Sequence, residues 1–170
     1  VSEKDGRSGQ MSLVTVKHSY HAPGGLALVE EHDIVYRSAA MNGNKTPPGE
    51  EPQKSPQWSK EVNPDPVLLF RYSALTFNGH RIHYDMLYVT KSEGYPGLIV
   101  HGPLTATLLL ELIRCERPDD EIRTVTVRAR RPLFAGARFR VEGLPTEFGA
   151  STWAVDPDGF IAMTLDVTFG

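Results

Sequence analysis

Hydrophobic and polar positions alternate in three different ways along the chain. Residues 12–20 and 26–37 are β-rich runs separated by Ala22-Pro23-Gly24-Gly25, which reads as a hairpin turn. Ahead of them, residues 1–10 are polar and expected to be loosely held. Residues 38–60 carry four prolines (Pro47, Pro48, Pro52 and Pro56) and few apolar positions. That is the composition of a linker, with Trp58 pinning its far end. From residue 61 the pattern is that of a compact domain.

Within that domain, residues 67–71 read as a strand, 73–77 as a helical turn and 84–92 as a short helix before Gly94. Then Leu104, Leu108, Leu109 and Leu112 recur at helical spacing, predicting a helix with one apolar face. Gly102 stands where its N-cap belongs, and Pro103 takes the first helical position, where a missing N–H costs nothing. Arg114 and Arg117 suit the negative C-terminal end, and Pro118 stops the helix. Four β candidates follow, at 122–131, 137–144, 149–155 and 160–169. Val125, Val127 and Ala129 alternate with polar residues in the first; Ile161, Met163, Leu165, Val167 and Phe169 do so in the last. Both are expected to be half-buried in an antiparallel sheet. Asp156-Pro157-Asp158-Gly159 supplies a tight turn between the last two. A long helix followed by a run of antiparallel strands is an α+β layout, a sheet wrapped on one helix.

Composition narrows the function classes. The chain has 170 residues and 40% hydrophobic content, enough for one sizeable core with an appendage. A net charge of -3 and a pI near 6.1 argue against a nucleic-acid-binding face. The one basic cluster, Arg128, Arg130 and Arg131, is either a local anion site or a solvated strand edge. Cys115 is the single cysteine, so no intrachain disulfide forms, and its place on the apolar helix predicts a buried structural thiol. No apolar run reaches the length of a membrane span and no signal peptide is visible, so a reducing compartment is expected, cytoplasm or mitochondrial matrix.

Candidate chemistry concentrates in residues 71–112. The run Arg71-Tyr72-Ser73-Ala74-Leu75-Thr76-Phe77-Asn78-Gly79-His80-Arg81-Ile82-His83-Tyr84-Asp85 is followed by Tyr95-Pro96-Gly97-Leu98-Ile99-Val100-His101-Gly102-Pro103-Leu104 and the helix. This stretch resembles the MaoC-like hot-dog hydratases and dehydratases of acyl thioesters. Their signature is Asp-x-Asn-Pro-apolar-His, then His-Gly and a central helix. Asn78 stands at the Asp, His80 at the Asn, Arg81 at the Pro, Ile82 at the apolar position and His83 at the His. The fuller string is similar to the branch containing hydroxyacyl-thioester dehydratase type 2 and the mesaconyl- or itaconyl-CoA hydratases.

The resemblance implies a hot-dog fold and reversible hydration of an enoyl thioester carried by CoA or an acyl carrier protein, with no further cofactor and no metal. It also implies that residues 1–37 correspond to the closing strands of an upstream hot-dog unit, residues 61–170 being the catalytic one. A partner, in the form of a second copy of the chain, is implied too, since a hot-dog sheet covers one side of its helix.

By the same resemblance His83 is the acid–base group, which an imidazole suits near neutrality. Gly102 offers its N–H at a helix N-terminus to the thioester oxygen. Asn78 is the departure: an amide orients water but exchanges no proton at neutral pH, so either His83 works alone as acid and base or His80 or Asp85 shares the proton. Substrate contacts are assigned to His80, Arg81, Tyr95, His101 and Arg131. Each has a plainer reading: His83 bonded only within the fold, Gly102 only capping a helix, Arg81 a surface charge. His80 and His83 are three apart with His101 as a third candidate, but catalytic zinc takes three protein ligands in a tight first shell, often with a carboxylate, and this spacing is a weak metal signal. A thioesterase on the same fold, or an inactive acyl-CoA-binding protein, are the alternative functions.

Overall fold

The computed structural model describes residues 2–6, 9–37 and 48–170, with side chains from residue 11 onward. The first part of the expected linker, residues 38–47, lies outside the described residues. The chain divides into two compact units, Val1–Gly43 and Asn44–Gly170.

In the first unit β1 (Ser2–Gly6), β2 (Gly9–Ala22) and β3 (Gly25–Arg37) form an antiparallel sheet in the order β1-β2-β3. The expected turn is present, closed by Gly25 at φ +113°, a conformation that favours glycine. Polar pairs face each other across β2 and β3: Thr15 donates to Asp33 at 2.6 Å, and His18 meets Glu30 at 2.8 Å. The first ten residues, read as loosely held, include β1, because pairing with β2 satisfies their backbone groups.

The second unit begins with β4 (Trp58–Val62), which starts within the stretch read as linker. It continues through α1 (Pro66–Leu75), a 3-10 turn at Arg81–His83, α2 (Met86–Lys91) and α3 (Gly102–Glu116). Then come β5 (Ile122–Ala129), β6 (Phe139–Thr146), β7 (Gly149–Val155) and β8 (Ile161–Phe169). The five strands form one antiparallel sheet in the order β4-β6-β7-β8-β5. On α3, Leu104, Leu109, Leu112 and Ile113 are buried in one core with Phe139, Val141, Ala154, Met163, Leu165 and Val167 of the sheet. This is the α+β hot-dog arrangement expected from the sequence. Gly149 permits the close β7–β8 approach, since a Cβ there would lie 1.8 Å from the Val167 carbonyl oxygen.

Four expectations change. Residues 67–71 are helix, not strand: Asp65 Oδ1 accepts the Leu68 N–H at 2.7 Å and Pro66 opens α1. An apolar run without a period is ambiguous, and here the cap and the burial of Leu69 and Ser73, four apart, decide it. The N-cap of α3 is His101, with Gly102 and Pro103 inside the first turn. β5 is not half-buried; it is the outer strand beyond β8, and Val125 and Val127 are each 45% exposed. Cys115 is exposed, because it falls on the outward face of the last turn of α3. Among the described residues no helix is long and apolar enough to cross a membrane.

Candidate active site

The site is built where α1, the 3-10 turn and the start of α3 meet. Beyond α1 the chain reverses at Phe77, φ +53°, and Asn78 folds back so that its N–H donates to the Ser73 carbonyl at 2.9 Å. Asn78 Oδ1 then accepts the His80 N–H at 3.0 Å, an Asx turn that starts the 3-10 segment. The His80 carbonyl accepts the His83 N–H at 3.3 Å and closes that segment. Together these bonds turn His83 inward, 7% exposed, while His80 stays at the surface.

The segment leading into α3 supplies the other half. Val100 N–H donates to the Leu133 carbonyl at 2.8 Å, and Ala135 N–H to the Leu98 carbonyl at 2.8 Å, which holds residues 98–100 extended. The Ile99 carbonyl thereby faces His83 and accepts from its Nδ1 at 2.7 Å. A carbonyl only accepts, so the His83 proton sits on Nδ1 and Nε2 carries the lone pair. Burial lowers the His83 pKa below the ordinary histidine value; the Ile99 carbonyl opposes this, and the nearby His80 adds to it.

His101 lies flat against His83, ring centroids 3.7 Å apart and planes 17° from parallel. It is fully buried, its Nε2 is 2.8 Å from Ser73 Oγ, and its Nδ1 has no hydrogen-bond partner. Burial, reinforced by the charge of His83, pushes its pKa down to about 4. The Tyr72 ring is tilted against His101 with centroids 4.8 Å apart, and His80 stands edge-on to His83 at 5.7 Å.

Gly102 opens α3 on a cleft of about 280 Å³ shared with Ile99, Thr105, Arg130, Arg131 and Met163. A Cβ on Gly102 would meet only the Met163 methyl, at 3.8 Å, so nothing in the fold demands glycine there. His83 is not on the cleft wall; it reaches it through Ile99, whose carbonyl it holds, and through the adjoining His101-Gly102 pair.

The expected residues therefore divide. Asn78, His80, His83 and His101 converge, and Gly102 and Arg131 share the neighbouring cleft. Arg131 is mostly buried, pairs with Asp156 at 3.1 Å and lies over Phe160; Arg130 pairs with Glu50 at 2.6 Å. Arg81 turns to Asp85 at 2.7 Å and lies over Tyr88, and Tyr95 packs toward Phe134. Among the described residues no three His, Cys, Asp or Glu side chains are grouped as a metal site requires. Ser73, Tyr72 and the Ile99 carbonyl are site components that the motif did not point out. For Ser73 the one local signal is its place four residues after the buried Leu69.

Residues 2–135 match the family described as hydroxyacyl-thioester dehydratase type 2. The chain is 44% identical over 172 residues to the mesaconyl-C(4)-CoA hydratase of Chloroflexus aurantiacus, an alignment covering all of this chain and 60% of that protein. It is 41% identical over 88 residues to the mitochondrial hydroxyacyl-thioester dehydratase type 2 of Schizosaccharomyces pombe, covering 51% of this chain and 29% of that one. Thus the chain spans less than two thirds of the length of either relative. Among solved structures, HtdX from Mycobacterium tuberculosis superposes with a TM-score of 0.77 at 22% identity, over 99% of this chain and 65% of that one. A MaoC-like dehydratase from Phytophthora capsici gives 0.73 at 16% identity, over 100% and 62%.

Proposed function

The chain belongs to the hydroxyacyl-thioester dehydratase type 2 family, and from that premise we propose that it reversibly hydrates an enoyl thioester to a 3-hydroxyacyl thioester. One observation carries the reading. A histidine with a locked tautomer and a free Nε2 adjoins a helix N-terminus whose glycine the fold itself does not need.

In the hydration direction, His83 Nε2 takes a proton from water as the water oxygen bonds to the β-carbon. The π electrons move toward the thioester oxygen, where the Gly102 N–H and the N-terminus of α3 stabilise enolate charge. His83 then returns its proton to the α-carbon, and dehydration is the reverse. Asn78 exchanges no proton; with Oδ1 held by the His80 N–H, its amide NH₂ remains to orient the water. His83 therefore makes both transfers. His80, Arg81, Tyr95 and Arg131 are the proposed contacts to the rest of the substrate, and the similarity to a mesaconyl-C(4)-CoA hydratase supports CoA as its carrier.

The same reading extends to assembly and location. The sheet of the first unit is assigned to the closing strands of a second hot-dog unit. A further copy of the chain is the proposed partner, supported by the open edge of β5 with Val125 and Val127 exposed. A monomer in light scattering at micromolar concentration overturns that part. The proposed compartment is the cytoplasm or the mitochondrial matrix. Incubation with crotonyl-CoA and mesaconyl-CoA tests the activity. Loss of enoyl absorbance without free thiol is the expected result. Release of thiol marks a thioesterase, and binding without turnover marks an inactive module.

A further inference from the structure

A closed circuit of contacts surrounds the proposed reacting groups. The Ser73 carbonyl holds the Asn78 N–H, Asn78 Oδ1 holds the His80 N–H, and the His80 carbonyl holds the His83 N–H. The His83 ring lies against His101, and His101 Nε2 returns to Ser73 Oγ. Ser73 thus touches the circuit twice, through its backbone to Asn78 and through its hydroxyl to His101. We infer that the Ser73–His101 pair is a positioning element for His83, fixing the plane of its ring and shielding it from water without touching the substrate. The inference rests on the proposed hydratase reading for what His83 does, but not for how the ring is held.

Three features favour positioning over substrate contact. His101 is fully buried, with His83 stacked on its ring and the tilted Tyr72 ring 4.8 Å from it. Its Nδ1 has no acceptor nearby, so a second proton on the ring would be unpartnered, and the ring stays neutral. A neutral flat ring excludes water from His83 without adding charge to it. Ser73 is itself buried and lies 28 residues upstream, so its hydroxyl clamps His101 from a different element. The titratable groups in ring contact with His83 are His80 at its edge and His101 against its face, and neither is a carboxylate.

The test compares His101→Phe, which keeps a flat ring, with His101→Leu, which does not, and Ser73→Ala with Ser73→Thr. A misplacement of roughly 1 Å in a reacting group costs about 100-fold in rate, so kcat should fall about 100-fold in His101→Leu with KM nearly unchanged. His101→Phe should retain more activity than His101→Leu, and Ser73→Thr more than Ser73→Ala. Ser73→Ala should add nothing to His101→Phe, because Ser73 acts through His101.

Proton NMR titration of His83 is read alongside and needs no substrate. Its midpoint should rise toward the ordinary histidine value in His101→Leu, where water reaches the ring, and stay low in His101→Phe. Should His101→Leu fail to fold, the titration of Ser73→Ala, expected to move upward, decides in its place. An unchanged His83 midpoint in folded variants overturns the inference, as does a loss confined to KM. Failure of the parent protein to turn over any enoyl thioester defeats the hydratase reading, and the titration alone then decides whether the pair positions His83.

Discussion

The two walls of the candidate site are made in opposite ways. On the histidine wall, side chains from α1, the 3-10 turn and the start of α3 interlock, and His83 and His101 are buried. On the glycine wall the proposed working group is a backbone N–H at an open cleft, and the flanking arginines are engaged by Asp156 and Glu50. The histidine wall sets a tautomer and a pKa, which depend on every neighbour. The glycine wall offers direction and space, which depend on one missing Cβ. Changes to the first should therefore alter rate and pH dependence together, and changes to the second should alter rate with the fold intact.

The largest expected effect is on the histidine wall. His83→Ala should lower kcat by about 100- to 10,000-fold, the range of a general acid–base group, with circular dichroism and melting temperature close to the parent. Activity near the parental level would remove His83 from the reaction. The parental rate should have an acid limb below the ordinary histidine pKa of about 6.5, because burial keeps His83 neutral to lower pH.

Next comes the glycine wall. Gly102→Val should obstruct the thioester and cost about 2.7–4 kcal/mol of transition-state stabilisation, the worth of one oxyanion donor. Gly102→Ala, whose Cβ meets only the Met163 methyl, should melt no lower than the parent and still lose rate. If Gly102→Ala is fully active, the contrast between the walls fails.

His101 gives a stability signature that the glycine wall lacks. Unfolded, it binds a proton near pH ~6.5; folded, its pKa is pushed down to about 4. Between those values the unfolded chain holds more protons, so stability should drop as the pH falls through that window and level off beneath it. His101's share of the loss is about 3 kcal/mol, so in urea titrations between pH 7 and pH 4 the drop should be larger in the parent than in His101→Phe, where the lowered His83 still contributes.

Asn78→Leu should lower kcat with little change in binding, since both the water-orienting amide and the acceptor that holds the His80 N–H ahead of His83 are lost. Asn78→Asp keeps an acceptor for the His80 N–H and should stay active, with the acid limb moved upward by the added negative charge. Smallest of all, labelling the exposed Cys115 with a thiol reagent should leave both rate and stability unchanged, because it lies at the far end of α3.

How much was legible follows from range. The alternation in β8, the leucine spacing in α3 and the order of the motif residues are local patterns, and they were sufficient for the α+β layout and for His83, Asn78 and Gly102 as candidates. Local pattern misled where a neighbour decides. Val125 and Val127 alternate as if half-buried, but among the described residues of its sheet β5 pairs with β8 alone. Residues 67–71 look like a strand until Asp65 caps them and Leu69 and Ser73 find the core. For His101 and Arg131, proposed from the sequence as substrate contacts, the sequence carried no sign of the neighbours they have in the packed chain, His83 and Asp156. The Ser73–His101 bond joins residues 28 apart, and the His83–Ile99 bond joins residues 16 apart. No periodicity reaches across such distances. The order of residues along the chain was enough to propose which groups serve proton transfer and charge stabilisation. Folding alone settled which ring nitrogen is free, which histidine stays neutral and which wall is open, because those properties come from desolvation and from partners distant in the chain.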